Sequence, residues 1–497
     1  MFRNIYVSCN KMGFSVLIEF LLGLFGIFIY IVRRARVVMI AAEQLQISEK
    51  HGSYINIVSF LIIATILTTV TVSEDIELCF KTALAVSFIL YMLLFGITED
   101  LKKCREYILS KLEIKPNSYV YACEYGLLVC LFCIAGCVFI SAGNMFLVYL
   151  AKECQTLILC FLVVYYNTKY SSRTALYLFF QAAFYSVMFL TGIAIIYFEL
   201  GTLDISNMQD YLFLYESNGL NVYWIKVGVM FILLSFGFKL GVPPFNNWLL
   251  KVFSVTPRLV IYVIAILSKI TMFALLFRIQ PFLSSLFEYD INLLLLIGAF
   301  ALIYSSVVGL REYNIFRIYA YSSFNHIGLL LLGLSINSIA GVIAGIFYFA
   351  VYIVNSLFFL VLSFYKRNLV NVLSLSHHFY VDPWYSFVFC ALLFSMSGIP
   401  PLTGFFSKML VGFMLYKNAG LLFFIIFVIT SSLVLVLYLR IVRIVMFGGY
   451  KQLKFYNYSF QSSDGNINMY VLYACLIFNI ICILNLQPSN FYHIIFT

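Results

Sequence analysis

A helix that crosses a hydrocarbon core of ~30 Å needs about 20 apolar residues, and this 497-residue chain is made of such runs almost from end to end. Fourteen candidate spans can be marked: 13–32, 54–72, 76–97, 120–140, 142–166, 174–198, 223–242, 257–279, 291–310, 317–335, 338–365, 383–415, 420–446 and 468–487. Without water to bond their backbone groups, segments of this length must be helical inside a bilayer. The expected fold is therefore all-α, a polytopic membrane protein. Composition agrees, with 63% hydrophobic residues and only 10% charged, against about 25% charged in a soluble domain. Multi-domain cytosolic enzymes, nucleic-acid binders and disordered scaffolds are excluded on that ground. The first span is too long for the apolar core of a signal peptide, and Arg33, Arg34 and Arg36 follow it where a small-residue cleavage site would be needed. The twelve cysteines are scattered through apolar runs, Cys130 and Cys133 included, and read as buried free thiols. Abundant Phe (52) and Tyr (37) beside few Ala suggest an AT-rich gene of the organellar kind.

The net charge of +10 is distributed by side. Loops after odd-numbered spans hold most of the Lys and Arg, for example Arg33 to Arg36, Lys102 to Arg105, and Arg440 with Arg443. The opposite side has only Arg3, Lys11, Lys81, Arg278 and Lys417, and its longest loop, 199–222, carries Glu199, Asp204, Asp210 and Glu216 without a Lys or Arg. Basic loops stay on the inner side of a membrane, so both termini are expected outside. One missed helix would scramble this alternation, which supports the span count.

Five lysines remain within spans: Lys152, Lys226, Lys239, Lys269 and Lys408. A charge at mid-membrane costs at least ~2.5–3.5 kcal/mol on insertion scales. Lys226 is near enough to the end of its helix to snorkel. Lys269 is not, lying about ten residues or ~15 Å from either end of its span. Lys239 and Lys408 adjoin helix breaks. These three either fix packing or carry protons, since burial narrows the gap between the charged and neutral amine. Glu153, midway along the fifth span in YLAKECQTL, is the expected carboxylate partner of Lys239. Adjacent Lys152 points about 100° away from it and has no assigned role.

Four of the nine prolines stand in two matching tetrads, Gly241-Val242-Pro243-Pro244 in the seventh span and Gly398-Ile399-Pro400-Pro401 in the twelfth. Proline removes a donor and clashes with the preceding turn, so each should unwind its helix. Broken helices at matching places in two halves mark an inverted-repeat transporter. An odd separation of five spans inverts topology, giving repeats of spans 4–8 and 9–13. The expected regions are 1–116 (three N-terminal spans), 117–284 and 285–450 (the repeats), and 451–497 (a last span).

At these residues the sequence resembles the antiporter-like subunits of respiratory complex I, most closely the chain 2 group of NADH:ubiquinone oxidoreductase. Three stretches carry the resemblance: FGFKLGVPPFNNWLLKVFSVTPRLVIYVIAILSKITMFALLFRI (236–279), GLREYNIFRIYAYSSFNHIGLLLLGLS (309–335) and SMSGIPPLTGFFSKMLVGF (395–413). Lysine at 269 departs from the histidine usual in chain 5, and lysine at 408 from the glutamate usual in chain 4. Where the family has a small or apolar residue before its fifth-helix glutamate, this chain has Lys152.

The resemblance implies a membrane-arm subunit that moves protons, driven by quinone reduction elsewhere in the complex. Glu153 would modulate Lys239, Lys269 would relay across the centre through His326, and Lys408 would serve the opposite half-channel. Tyr321, Ser322 and Ser323 would add hydroxyls. Imidazole suits a relay because it titrates near neutrality when unperturbed. The chain has no dinucleotide-binding glycine fingerprint, iron–sulfur cysteine set or haem pair, so NADH and ubiquinone would be used by the whole complex and no cofactor bound here. The implied setting is the mitochondrial inner membrane, with other membrane-arm subunits and lipid as partners. Competing readings are a cation/proton antiporter subunit of the Mrp kind, the chain 4 paralogue, and a scaffold that has lost transport.

Overall fold

The computed structural model describes residues 118–165, 169–217, 222–287, 293–336, 338–365, 371–376 and 383–447, with part of 80–87. The first, second and fourteenth expected spans, most of the third, and region 451–497 lie outside the described residues. The chain divides into two compact units, Met1–Phe236 with Val255–Leu286, and Gly237–Ser254 with Phe287–Thr497. Among the described residues all regular structure is helical, and extended pairing is confined to two isolated bridges.

The first unit holds α1 (Ser118–Ser141), α2 (Met145–Val164), α3 (Lys169–Leu200), α4 (Ile205–Ser217), most of α5 (Tyr223–Leu240) and α7 (Arg258–Leu286). The second holds the end of α5, then α6 (Asn247–Val255), α8 (Leu293–Gly309), α9 (Ile315–Leu334), α10 (Ile339–Tyr365), α11 (Pro383–Ser397), α12 (Thr403–Asn418) and α13 (Leu421–Phe447). The fourth to thirteenth expected spans are thus each occupied by helix, with ends within a few residues except for α7, which runs on to Leu286. Six of the described helices are long and apolar enough to cross a membrane, among them Arg258–Leu286, which is buried from Leu259 to Phe277. The acidic 199–222 stretch, expected as a loop, contains the short helix α4. It buries Met208 and Leu212, one turn apart on a single face.

Lipid offers no hydrophobic drive for helices to associate, so their contacts rest on close packing and on polar side chains. Crossing helices α8 and α9 meet at Gly298 and Gly328, where a Cβ on either would fall 2.9–3.0 Å from the other's carbonyl oxygen. Polar anchoring is concentrated at the turns. In the first unit, Asn144 caps α2 by accepting from the Phe146 N–H, and its backbone bridges Asp204. Arg278 on α7 donates to the Ile140 and Ala142 carbonyls of the same turn, at 3.1 and 3.0 Å.

The second unit uses the same devices. Asn314 caps α9 through the Phe316 and Arg317 N–H groups, and its backbone bridges Asn371. Arg440 on α13 donates to the Leu310 and Glu312 carbonyls and lies over the Tyr313 ring. Each turn leaves helix-end carbonyls that the arginine fork satisfies.

Hydrogen bonds from a charged donor contribute about 1.5–3 kcal/mol each. Arg440→Ala should therefore lower the thermal unfolding midpoint of the detergent-solubilised protein, with Arg440→Lys recovering only part because an ammonium lacks the planar fork. An unchanged midpoint for the alanine variant would remove the clamp from the account.

Candidate functional site

Both proline tetrads interrupt a helix as expected, and they do so with the same backbone. α5 ends at Leu240, Gly241 takes φ +73°, and Val242 N–H reaches the Gly237 carbonyl while Gly241 N–H reaches that of Phe238. α11 ends at Ser397, Gly398 takes φ +85°, and Ile399 N–H reaches Phe394 while Gly398 N–H reaches Ser395. Each is a glycine C-terminal motif that closes two of the four open carbonyls at a helix end. The Pro243-Pro244 and Pro400-Pro401 bonds are both cis. Trp248, at the start of α6, donates its indole N–H to the Phe238 carbonyl at 3.0 Å and packs on the Phe238 ring, so the Pro-Phe-x-x-Trp segment folds back on the helix it interrupts.

A lysine stands at each of these helix ends. Lys239 is in the last turn of α5 and is 6% exposed. Lys408 comes from α12, beyond the break, and returns to the end of α11, where its Nζ donates to the Ser397 carbonyl at 2.8 Å. The unsatisfied carbonyls of a helix C-terminus carry partial negative charge and favour a cation. The two lysines thus stand on opposite sides of their breaks, and the Lys408 amine is on the helix-end carbonyl of Ser397. The return of Lys408 needs Gly398, since a Cβ there would fall 2.7 Å from Lys408 Cδ.

His326 and Lys408 belong with Lys239 to the second unit. His326, on α9, is buried, and its Nδ1 lies 2.6 Å from the Tyr348 hydroxyl of α10. Ser322 precedes it by one turn on the same face and donates to the Tyr319 carbonyl at 2.8 Å, and the Tyr438 hydroxyl of α13 is buried in the same unit. That hydroxyl approaches Met396 Sδ at 4.0 Å, beside the Ser397 carbonyl that holds Lys408. The His326–Tyr348 pair and the Lys408–Ser397 bond are therefore two separate polar contacts within a single unit. Tyr348 and Tyr438 were not singled out in the sequence, where 37 tyrosines in apolar runs conceal them. Tyr321 and Ser323 are buried as well.

The first unit contains Lys269 and Glu153. Lys269 is 2% exposed and follows a five-residue π-helical stretch, Val263–Leu267, in the middle of α7. Such a bulge disturbs the carbonyl ladder and often marks a functional site; here Ser268 Oγ donates to the Ile264 carbonyl within it. On α2 the two adjacent charged residues differ in burial. Lys152 is on the buried face with Val148, Gln155 and Thr156, whereas Glu153 is only half-buried. Lys81, read from sequence as an outer-side charge, is helical and 2% exposed. A position five residues inside a span does not show from sequence alone which way its side chain points.

Three comparisons bear on this site. A family model described as NADH:quinone oxidoreductase/Mrp antiporter, TM, matches residues 142–434. An NADH-quinone oxidoreductase subunit N 1 of Acidiphilium cryptum is 31% identical over 65% of this chain and 68% of its own length. A subunit N of Ruthia magnifica is 30% identical over 58% and 61%. Among solved structures, an archaeal membrane-bound sulfane sulfur reductase has a TM-score of 0.74 at 18% identity, covering 97% of this chain and 96% of that one. Respiratory complex I from Thermus thermophilus has 0.70 at 17%, covering 95% and 97%. The Mrp complex from Dietzia sp. has 0.66 at 17%, covering 87% and 81%. At these identities the structural likenesses show a common fold.

Gly398→Ala should destabilise the protein by more than the ~1–2 kcal/mol of a left-handed residue alone, because the new methyl meets the Lys408 stem. Gly420→Ala is the control, having φ +94° and open space around its Cβ. Equal losses in thermal unfolding would mean that Lys408 gives way without cost.

Proposed function

The chain belongs to the NADH:quinone oxidoreductase/Mrp antiporter transmembrane family, and we propose that within it this chain is a membrane-arm subunit of respiratory complex I. In this reading it translocates protons, driven by NADH:ubiquinone oxidoreduction in other subunits. The observation that carries it is the buried lysine at each broken helix, Lys239 in the last turn of α5 and Lys408 with its amine on the Ser397 carbonyl. A buried amine at a helix end has a favourable field in its charged form and a desolvation gain in its neutral form. It can therefore be filled and emptied with protons, as a relay demands.

The residues have distinct roles. Lys239 and Lys408 hold protons at the two breaks, and Gly241, Pro243, Pro244, Gly398, Pro400 and Pro401 make those breaks. His326 passes protons by exchanging them between its two ring nitrogens, one of which faces Tyr348. Lys269 is the carrier on α7, and Glu153 on α2 adjusts the charge seen by the lysines. Lysine at both 269 and 408 supports the chain 2 designation, while the bacterial relatives are named subunit N. The recurrence of asparagine cap, arginine clamp and glycine-proline break supports inverted repeats over 117–284 and 285–450, within a fourteen-span protein whose termini face outward. Its partners are the other membrane-arm subunits and lipid. NADH and ubiquinone are used elsewhere in the complex, and this chain binds no cofactor. An organellar composition supports the mitochondrial inner membrane as its setting.

Two tests follow. Tagged chain extracted from its native membrane should co-purify with NADH:quinone reductase activity; recovery with a cation antiporter free of NADH oxidation would favour the Mrp reading. In the assembled complex, Lys269→Ala should lower coupled quinone reduction and proton pumping about tenfold or more, the minimum expected when a proton carrier is lost being of this order, while assembly is retained. Full pumping by that variant would remove Lys269 from the relay. Glu153→Gln should alter turnover, and an unchanged rate would leave Glu153 without a role.

A further inference from the structure

Three polar residues at the second break have no part in the proton-translocating reading. Asn355 is on α10, Ser395 in the last turn of α11 and Thr403 at the start of α12, and all three are buried. Asn355 Nδ2 donates to Ser395 Oγ at 3.1 Å, and Ser395 Oγ shares a hydrogen bond with Thr403 Oγ1 at 3.2 Å. The two hydroxyls belong to opposite sides of the Pro400-Pro401 interruption. Their bond therefore clasps the broken helix shut, and an amide from a third helix holds the clasp. Polar bonds of this kind are what fixes helices against one another where lipid supplies no hydrophobic drive.

The backbone is fitted closely at the same place. A Cβ on Gly404 would overlap the Ser395 carbonyl oxygen, so the first turn of α12 lies directly on the last turn of α11. Lys408 stands one turn after Gly404 on α12 and reaches the Ser397 carbonyl at 2.8 Å, two residues after Ser395 on α11. The hydroxyl pair and the amine contact are thus two ties across one break, joining the same two helix ends. The amine keeps its place only while the spacing of those ends is held, and displacement of a reacting group by 1 Å can cost ~100-fold in rate. α10 is itself anchored two turns earlier on the same face, where the Tyr348 hydroxyl lies 2.6 Å from His326 Nδ1. All these residues belong to the second unit.

Asn355 Oδ1 is buried without a hydrogen-bond partner among the described residues. An apolar side chain of similar size would leave no such group, so packing between α10 and α11 does not account for an amide here.

We propose that the Asn355–Ser395–Thr403 clasp positions Lys408, fixing the two ends of the broken helix at the spacing that puts its amine on the Ser397 carbonyl. The three residues carry no proton themselves; they are positioning residues that act through the lysine. The inference rests on the proton-translocating reading and adds to it the groups that set the geometry of one carrier.

The test uses the assembled complex in liposomes, with native-gel mobility as the assembly check. Its readouts are protons moved per quinone reduced and a cryo-electron-microscopy map of the break. Thr403→Val keeps the shape of the side chain and removes the hydroxyl. It should lose pumping several-fold and leave the Lys408 side chain off the Ser397 carbonyl, and Thr403→Ser should recover both. Asn355→Leu should show the same loss. Normal pumping by Thr403→Val would overturn the proposal even if Asn355→Leu fails to assemble. Lost pumping with Lys408 still on Ser397, or an equal loss in Thr403→Ser, would overturn it as well, since the hydroxyl would not then be placing the amine. Lys408→Ala separates the two levels. If it pumps normally, the translocating reading fails at this break; if it does not, while Thr403→Val does, this proposal alone fails.

Discussion

A helix broken inside a hydrocarbon layer must find partners for the carbonyls it leaves open, because no water is there to take them. That constraint organises both interrupted helices. At each, a glycine in the left-handed region turns two N–H groups back onto the last turn. An indole closes on one break, and an ammonium on the other. Polar chemistry in the bilayer is costly wherever it is placed, and here the cost of opening the backbone is offset in part by the polar side chains that return to it. Lys408 and Trp248 are therefore part of what makes the breaks tolerable.

The same economy appears at the turns. Asn144 and Asn314 satisfy N–H groups at the start of a helix, while Arg278 and Arg440 satisfy carbonyls at the end of the helix before it. An arginine extended along apolar helix surface with its fork at a turn uses both parts of its side chain. These four residues work in two places in the same way, and the sequence at the two caps is alike, NMFLVY at 144–149 and NIFRIY at 314–319.

Much of the fold was legible because hydropathy and proline act locally. The runs at 223–242 and 291–310 became α5 and α8 within two residues, and both tetrads became breaks. What escaped reading depends on contacts far along the chain or on orientation. The Arg440 clamp joins residues about 130 apart. Lys408 was placed after its break by sequence but acts before it by folding back. The π-helical stretch preceding Lys269 has no signature within a uniformly apolar run. On α2 the choice between Lys152 and Glu153 turned on 100° of helix rotation. Gln155 and Thr156, sharing the buried face with Lys152, contained that information in their spacing.

The bond from Lys408 to the Ser397 carbonyl ties a proton to a piece of backbone. Linkage is reciprocal: whatever free energy the protonated amine contributes to holding that helix end, a movement of the helix end must return to the proton equilibrium. A displacement of the break by a neighbouring subunit would thus be felt as a change in proton occupancy, and a change in occupancy as a force on the neighbour. Chemistry and mechanics share one coordinate at this point, and neither can be altered without the other registering it.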